Sequence, residues 1–360
     1  MKDLSRESIR IIPSWPAGVP AEEVKRVYGI DRPAQLCYNE NPYGPSPRAM
    51  DAMRREVERM AMYPDSGSLD LRAALAKKFS VTMDHITVAN GMDDILVDIA
   101  HAFLEPEDEV LTCGATFYAY FFGAARMGAK YTELPLKDYR FDLDALADAI
   151  TPRTKLVFIC NPNNPTGTIV RKDEVRRFMD RVPEDVIVVF DQAYHEYVGD
   201  EDYADGLEYV REGRNVIVGR TFSKIYGLAG CRVGYCIAKP ELNRYILKVS
   251  EVFPVNRMAQ AAALAAMEDD KYLNMVKLRT GEGRSYLLRE LEKLGAQCTE
   301  SMGNYIFANV HADGREIAEK LKTRGVIITA GYKGYPEHLR ITIGTREQNE
   351  RLIAALRDAL

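Results

Sequence analysis

The sequence predicts an α/β protein with a large domain on a mostly parallel sheet, followed by a smaller α+β domain. Two patterns carry this. Between positions 84 and 220, short β-branched runs alternate with longer helical patterns, as in βαβ units whose sheet is covered on both faces. Beyond Lys239 the pattern changes, and helices alternate with more widely spaced strands. At 360 residues, 46% hydrophobic and 28% charged, the chain has apolar material for both cores.

In the first block the strands are predicted at 85–89, 109–112, 155–160, 186–190 and 215–219, each ending in a polar or glycine-bearing turn. Open α/β sheets bind ligands at such strand ends. Ahead of them, 47–62 sets Met50, Met53, Val57 and Met60 on one helical face, predicted to fill core. In the second block, helices at 284–294 and 315–322 alternate with strands at 305–309, 326–328 and 339–343. Pro13, Pro16 and Pro20 predict an extended N-terminal arm that packs across a neighbour. The expected organisation is an arm over 1–35, a large domain over 36–250 and a small domain over 251–360.

A net charge of −5, with no Lys/Arg run interleaved with aromatics, argues against a nucleic-acid partner. No apolar stretch reaches the ~18–20 residues of a membrane span, and the polar start lacks a signal-peptide core. A cytoplasmic location is the expectation. Cys37, Cys113, Cys160, Cys231, Cys236 and Cys298 form no CxxC pair, so free thiols are expected and no metal site.

Four segments carry chemistry. In Thr221-Phe-Ser-Lys-Ile-Tyr-Gly-Leu-Ala-Gly-Cys-Arg232, directly after a strand, a lysine stands among hydroxyls, glycines and an arginine. Desolvation and a nearby cation would make Lys224 nucleophilic, while Thr221, Ser223 and Arg232 suit an anion such as phosphate. Asp191, directly after the predicted strand 186–190, can hold a ring nitrogen protonated or cap a following helix, with Tyr194 three residues on. Asn161-Pro-Asn-Asn-Pro-Thr-Gly167 is a rigid turn whose Asn163 amide can meet an aromatic hydroxyl. Asn90-Gly-Met-Asp-Asp94 opens a helix whose free N–H groups can hold a phosphate, and it lacks the glycines of a dinucleotide fingerprint.

In this order and spacing the four segments resemble the aspartate-aminotransferase fold of pyridoxal-phosphate enzymes (PLP fold type I), and most closely the histidinol-phosphate aminotransferase family. The resemblance runs from about Pro13 to Leu360 and adds Asn39-Glu-Asn-Pro-Tyr-Gly-Pro-Ser-Pro47, Tyr63-Pro-Asp-Ser-Gly67 and Leu339-Arg-Ile-Thr-Ile-Gly-Thr-Arg346. It implies that Lys224 carries pyridoxal 5'-phosphate as an imine and that Asp191 pairs with its ring nitrogen. Asn163 and Tyr194 would hold the ring oxygen, and Phe117 would stack on the ring. The Met92 and Asp93 amides, Ser223, Arg232 and nearby Thr221 would take the cofactor phosphate. Tyr63 would reach that phosphate from the other subunit of a homodimer. Arg340, Asn41 and Trp15 would bind substrate. The implied activity is transamination between a small-molecule amine donor and an oxo acid, 2-oxoglutarate by family analogy; a decarboxylase of the same fold is the rival.

The match has three departures. An N-terminal tyrosine of the family falls at Ser14 or Trp15, an arginine falls at Thr329, and the glutamate after the ring-binding aspartate is Gln192. A phosphate left with one guanidinium loses about 1.5–3 kcal/mol, which tilts toward an unphosphorylated substrate unless Lys333 or Arg346 restores the charge.

Overall fold

The computed structural model describes residues 4–13 and 21–360; Ser14, Trp15, Pro16 and Pro20 lie outside them. In chain order the strands are β1 (Ala34–Gln35), β2 (Ile86–Ala89), β3 (Glu109–Cys113), β4 (Lys130–Leu134), β5 (Thr154–Cys160), β6 (Ile187–Asp191), β7 (Val216–Thr221), β8 (Gly234–Ala238), β9 (Gln297–Cys298), β10 (Tyr305–Asn309), β11 (Val326–Ile327), β12 (Thr329–Tyr332) and β13 (Tyr335–Thr342).

The large sheet has the order β2-β8-β7-β6-β5-β3-β4, in which β8 alone runs antiparallel to its neighbours. All five predicted strands of the first block belong to it. The central strands β5 and β6 are almost wholly buried, as expected for β-branched runs covered on both faces. Two strands of this sheet went unpredicted. β4 is an edge strand whose Lys130 and Glu133 point to solvent, so its pattern reads as polar. β8 opens on Gly234, where a Cβ would sit 2.9 Å from the Met92 nitrogen, so close packing rather than propensity places it.

The small sheet, β12-β13-β10-β9, is antiparallel, and helices Gly314–Lys322 and Arg346–Ala359 bury Ile317, Leu321, Leu352 and Leu356 in the same core. The cores divide elsewhere than at 36 and 251. Ala34 and Leu36 pack in the small core, because β1 pairs with β11. Residues from Val255 to Val276 pack in the large one. Helix Asp270–Lys293 joins the two, giving Val276 to the first core and Leu287 and Leu291 to the second.

Two other expectations change. The described parts of the arm are helical rather than extended. Glu7–Arg10 lies beside helix Ala119–Met127, with Arg6 donating to the Arg126 carbonyl at 2.7 Å, and Ala21–Tyr28 buries Val24 against Cys37 and Ile327. The methionine face fills core only in part: Met53 packs against the large core, but the end of the face does not. Helix Pro47–Val57, capped by Ser46 and opened by Pro47, buries Ala49 and Ala52, and it packs on Arg257–Met267, whose own buried face is Ala259, Ala262, Ala263 and Ala266. Small residues on both helices let the axes approach closely and turn the longer side chains outward, so Val57 and Met60 are exposed.

Candidate active site

The carboxyl ends of β5, β6 and β7 open on a cavity of about 460 Å³. The loop after β7 enters it because its apolar residues face inward: Phe222, Ile225, Tyr226 and Leu228 are all buried, and the Phe222 amide donates to the Val233 carbonyl at 3.1 Å. This holds Lys224 against the cavity, where Nζ donates to the Tyr38 carbonyl at 3.0 Å. Burial first, and then the positive charge of Arg340, lower the Lys224 pKa to about 8.

Asp191, at the end of β6, is buried, and burial raises its pKa to about 6 against the stabilising Tyr120 hydroxyl, which donates to Oδ2 at 2.7 Å. Oδ1 accepts from the Ala193 amide at 3.1 Å. Tyr194 lines the same cavity, and its hydroxyl accepts from Asn39 Nδ2 at 2.9 Å. Phe117 is a further wall.

One end of the cavity is an anion cradle. Helix Met92–Phe103 begins there after Gly91 with no side-chain cap on its first N–H groups. Asp94 turns back to accept the Asn90 amide at 2.9 Å, leaving the Met92 and Asp93 amides facing Ser223, Thr221 and Arg232. Arg232 lies across Gly91, where a Cβ would meet Nη2 at 2.5 Å, and Gly91 itself has φ +89°. Only glycine admits the guanidinium there. Ser223 and Thr221 share a 2.9 Å hydroxyl contact. Uncapped amides, two hydroxyls and one guanidinium form a donor set for a phosphate. With an amine of depressed pKa and a buried carboxylate in the same cavity, these residues fit pyridoxal phosphate.

A family model described as aminotransferase class I and II matches residues 33–356. The chain belongs to this family. It is a pyridoxal-phosphate-dependent transaminase. It is 45% identical over 357 residues to a histidinol-phosphate aminotransferase of Moorella thermoacetica, covering 99% of this chain and 92% of that one. With that of Brevibacillus brevis it shares 39% over 354 residues, 98% of this chain and 97% of the other. A crystal structure of the Sinorhizobium meliloti histidinol-phosphate aminotransferase with pyridoxal-5'-phosphate superimposes with TM-score 0.92 at 28% identity, covering 100% of this chain and 98% of that one.

Not every predicted site residue of this transaminase faces the cavity. Asn163 turns inward: its Nδ2 donates to the Ala115 carbonyl and the Thr166 hydroxyl, and its Oδ1 accepts from Thr116. The neighbouring Asn164 lines the cavity instead and accepts from Arg340 Nη1 at 2.6 Å. Asn41 likewise braces its own loop, donating to the Ile225 and Gly44 carbonyls, while Asn39 takes the cavity position. In a tight turn, alternate amides face opposite ways, and sequence alone does not say which. Tyr120, beneath Asp191, was also missed, because its hydroxyl arrives from a helix with no motif of its own. Tyr63 is 78% exposed and stacks on Phe253 at 4.5 Å, outside the cavity of its own chain.

Arg340, on β13, forms the other end of the cavity. Nη2 contacts the Cys37 carbonyl and the Thr329 hydroxyl, Nε is buried without a partner, and among the described residues no carboxylate pairs with it. Neither Lys333 nor Arg346 supplies a second cation. Lys333 pairs with Glu133 at 3.2 Å in solvent, and Arg346 stacks on Tyr286 at 3.9 Å and pairs with Glu350.

Proposed function

We propose that this transaminase is of the histidinol-phosphate type, exchanging an amino group between a phosphorylated amino alcohol and a 2-oxo acid, 2-oxoglutarate being the expected acceptor. What supports the type, against the lone guanidinium of Arg340 among the described residues, is the 45% identity over 99% of this chain to a histidinol-phosphate aminotransferase; the cavity, with Lys224, the phosphate cradle and Arg340 on its lining, supports the transamination.

When bound, pyridoxal phosphate supplies an electrophilic aldehyde and an electron-withdrawing ring. The residues do the rest. The cradle at Met92, Asp93, Ser223 and Arg232 would hold the phosphate. Asp191 keeps a proton on the ring nitrogen, and the Tyr120 hydroxyl keeps Asp191 oriented. Tyr194 and Asn164, which line the cavity, would hold the ring oxygen, and Phe117 would stack on the ring. Lys224 Nζ, whose pKa lowered to about 8 leaves roughly a tenth of it as free base at pH 7 and most of it above pH 8, would take the proton from substrate Cα and return it to the cofactor side. Arg340 receives the distal anion of either substrate.

A second reading, for an unphosphorylated amino acid, has its own support: Thr329 touches Arg340 at 3.2 Å, and Tyr38, Tyr118 and Tyr332 give that end aromatic walls. A half-reaction screen decides between them. Holoenzyme mixed with histidinol phosphate should convert to the pyridoxamine form faster than with any unphosphorylated amino acid; the reverse order establishes the second reading.

The working unit is proposed to be a cytoplasmic homodimer with Tyr63 contributed across the interface. Tyr63 stands exposed beside Phe253, with Met60, Met62 and Val252 also exposed.

A further inference from the structure

Beneath the active site, on the opposite face of the same strands, lies a second set of polar side chains that the transamination chemistry does not use. Asp191 faces the cavity and the next residue, Gln192, faces away; Thr221 faces the cavity and the preceding residue, Arg220, faces away. Arg220 and Gln192 are 2% and 0% exposed. Arg220 Nη2 donates to Gln192 Oε1 at 2.9 Å and to Asp205 Oδ1 at 2.7 Å, and its guanidinium lies 5.0 Å over the Phe79 ring.

Gln192 passes the connection on. Its Nε2 donates to the Ala204 carbonyl at 3.2 Å, which also accepts Asn161 Nδ2 at 3.0 Å. The Asn161 amide in turn donates to the Asp191 carbonyl at 2.9 Å. A closed loop of hydrogen bonds therefore ties the ends of β5, β6 and β7, the three strands that carry Asn164, Asp191 and Lys224 into the cavity. An amide suits the central position because it accepts from Arg220 and donates to Ala204 at once; a carboxylate there accepts only.

We infer that Arg220 and Gln192 are positioning residues, a buried clamp that sets the aim of Asp191 at the cofactor's ring nitrogen. Such a clamp moves catalysis without touching substrate, since misplacement of about 1 Å costs up to about a hundredfold. The inference needs the cofactor but not the identity of the substrate, so the screen above can fail without affecting it.

The test uses holoenzyme loaded with pyridoxal phosphate labelled with 15N in the ring. In Gln192→Leu, the ring-nitrogen resonance should move toward that of an unprotonated pyridine, with kcat lowered on the order of tenfold or more and KM little changed. The triple variant Arg220→Met/Gln192→Leu/Asp205→Asn removes the buried charge together with its charged partner Asp205 and its amide acceptor, an exchange of a whole ion pair for uncharged groups that often preserves folding. It should show the same resonance shift in a protein of near wild-type melting temperature. A folded variant of either kind with a wild-type ring resonance and kcat, or with a lowered melting temperature as its only change, overturns the assignment.

Discussion

The two ends of the cavity are built differently. The cofactor end belongs mainly to one core: the cradle, Asp191 and Lys224 all project from the ends of the large sheet or the turns between its strands, with Asp94 and Tyr120 of its covering helices bracing the cradle and Asp191, and only the Lys224 amine reaches outside it, to the Tyr38 carbonyl. The substrate end is assembled. Arg340 comes from the small sheet and meets Cys37 from the N-terminal connection and Asn164 from the large domain, so its position depends on both cores staying in register. The first end is preorganised for chemistry common to a family, whereas the second can change its ligand through one residue, here Thr329.

The largest expected effect is at the cofactor end. Lys224→Ala should lower turnover by at least about 10⁴-fold while leaving the protein folded, because it removes both the covalent anchor and the proton carrier. Steady-state rates with a melting curve check this, and substantial activity would move the chemistry to another residue. The same lysine predicts a pH effect. Only its free base attacks an aldehyde, so with a pKa of about 8 the rate of reconstitution of apoprotein should rise about tenfold per pH unit below 8 and level off above it. A rate still climbing at pH 10 would mean that Lys224 titrates as an ordinary lysine.

At the substrate end the effects should be smaller and confined to binding. Arg340→Ala should raise KM for an anionic substrate about tenfold to a hundredfold, the worth of one charge-assisted bond. Thr329→Arg should do the opposite for phosphorylated substrates and leave unphosphorylated ones little changed. Equal KM changes for both classes would show that Arg340 does not select by charge.

The smallest effect lies between the two regions, in the helix Asp270–Lys293 that joins the cores. Gly283 is required there, since a Cβ would meet Ile343 at 2.7 Å, but Gly281 has open space. Gly281→Ala should stabilise the protein by about 0.5–1 kcal/mol, measured by denaturant unfolding. A lower kcat in that stabilised variant would show that the seam must flex in each cycle.

The same contrast governs what could be read from sequence. The five predicted strands of the large sheet were legible because β-branched runs buried on both faces leave a continuous apolar pattern, and Lys224, Asp191, Arg232 and the Met92 helix start follow directly from strand ends. Asn164 and Asn39 were mistaken for Asn163 and Asn41 because turn geometry, not residue type, decides which amide faces the cavity. The cores divide away from 251 because the helix read only over 284–294 begins at Asp270 and serves both, with Val276 in the large core and Leu287 and Leu291 in the small one. The methionine face misled in part: Met53 packs on the large core, but Val57 and Met60 are exposed because alanines form the packed side of the helix.

Reduction of the pyridoxal-phosphate-loaded protein with borohydride, followed by peptide mapping, tests the central claim most directly. The account predicts one labelled residue, Lys224, within the segment Thr221–Arg232, and no label in Lys224→Ala. A stable adduct on a different lysine, or a protein that takes up no cofactor while folded, would contradict it.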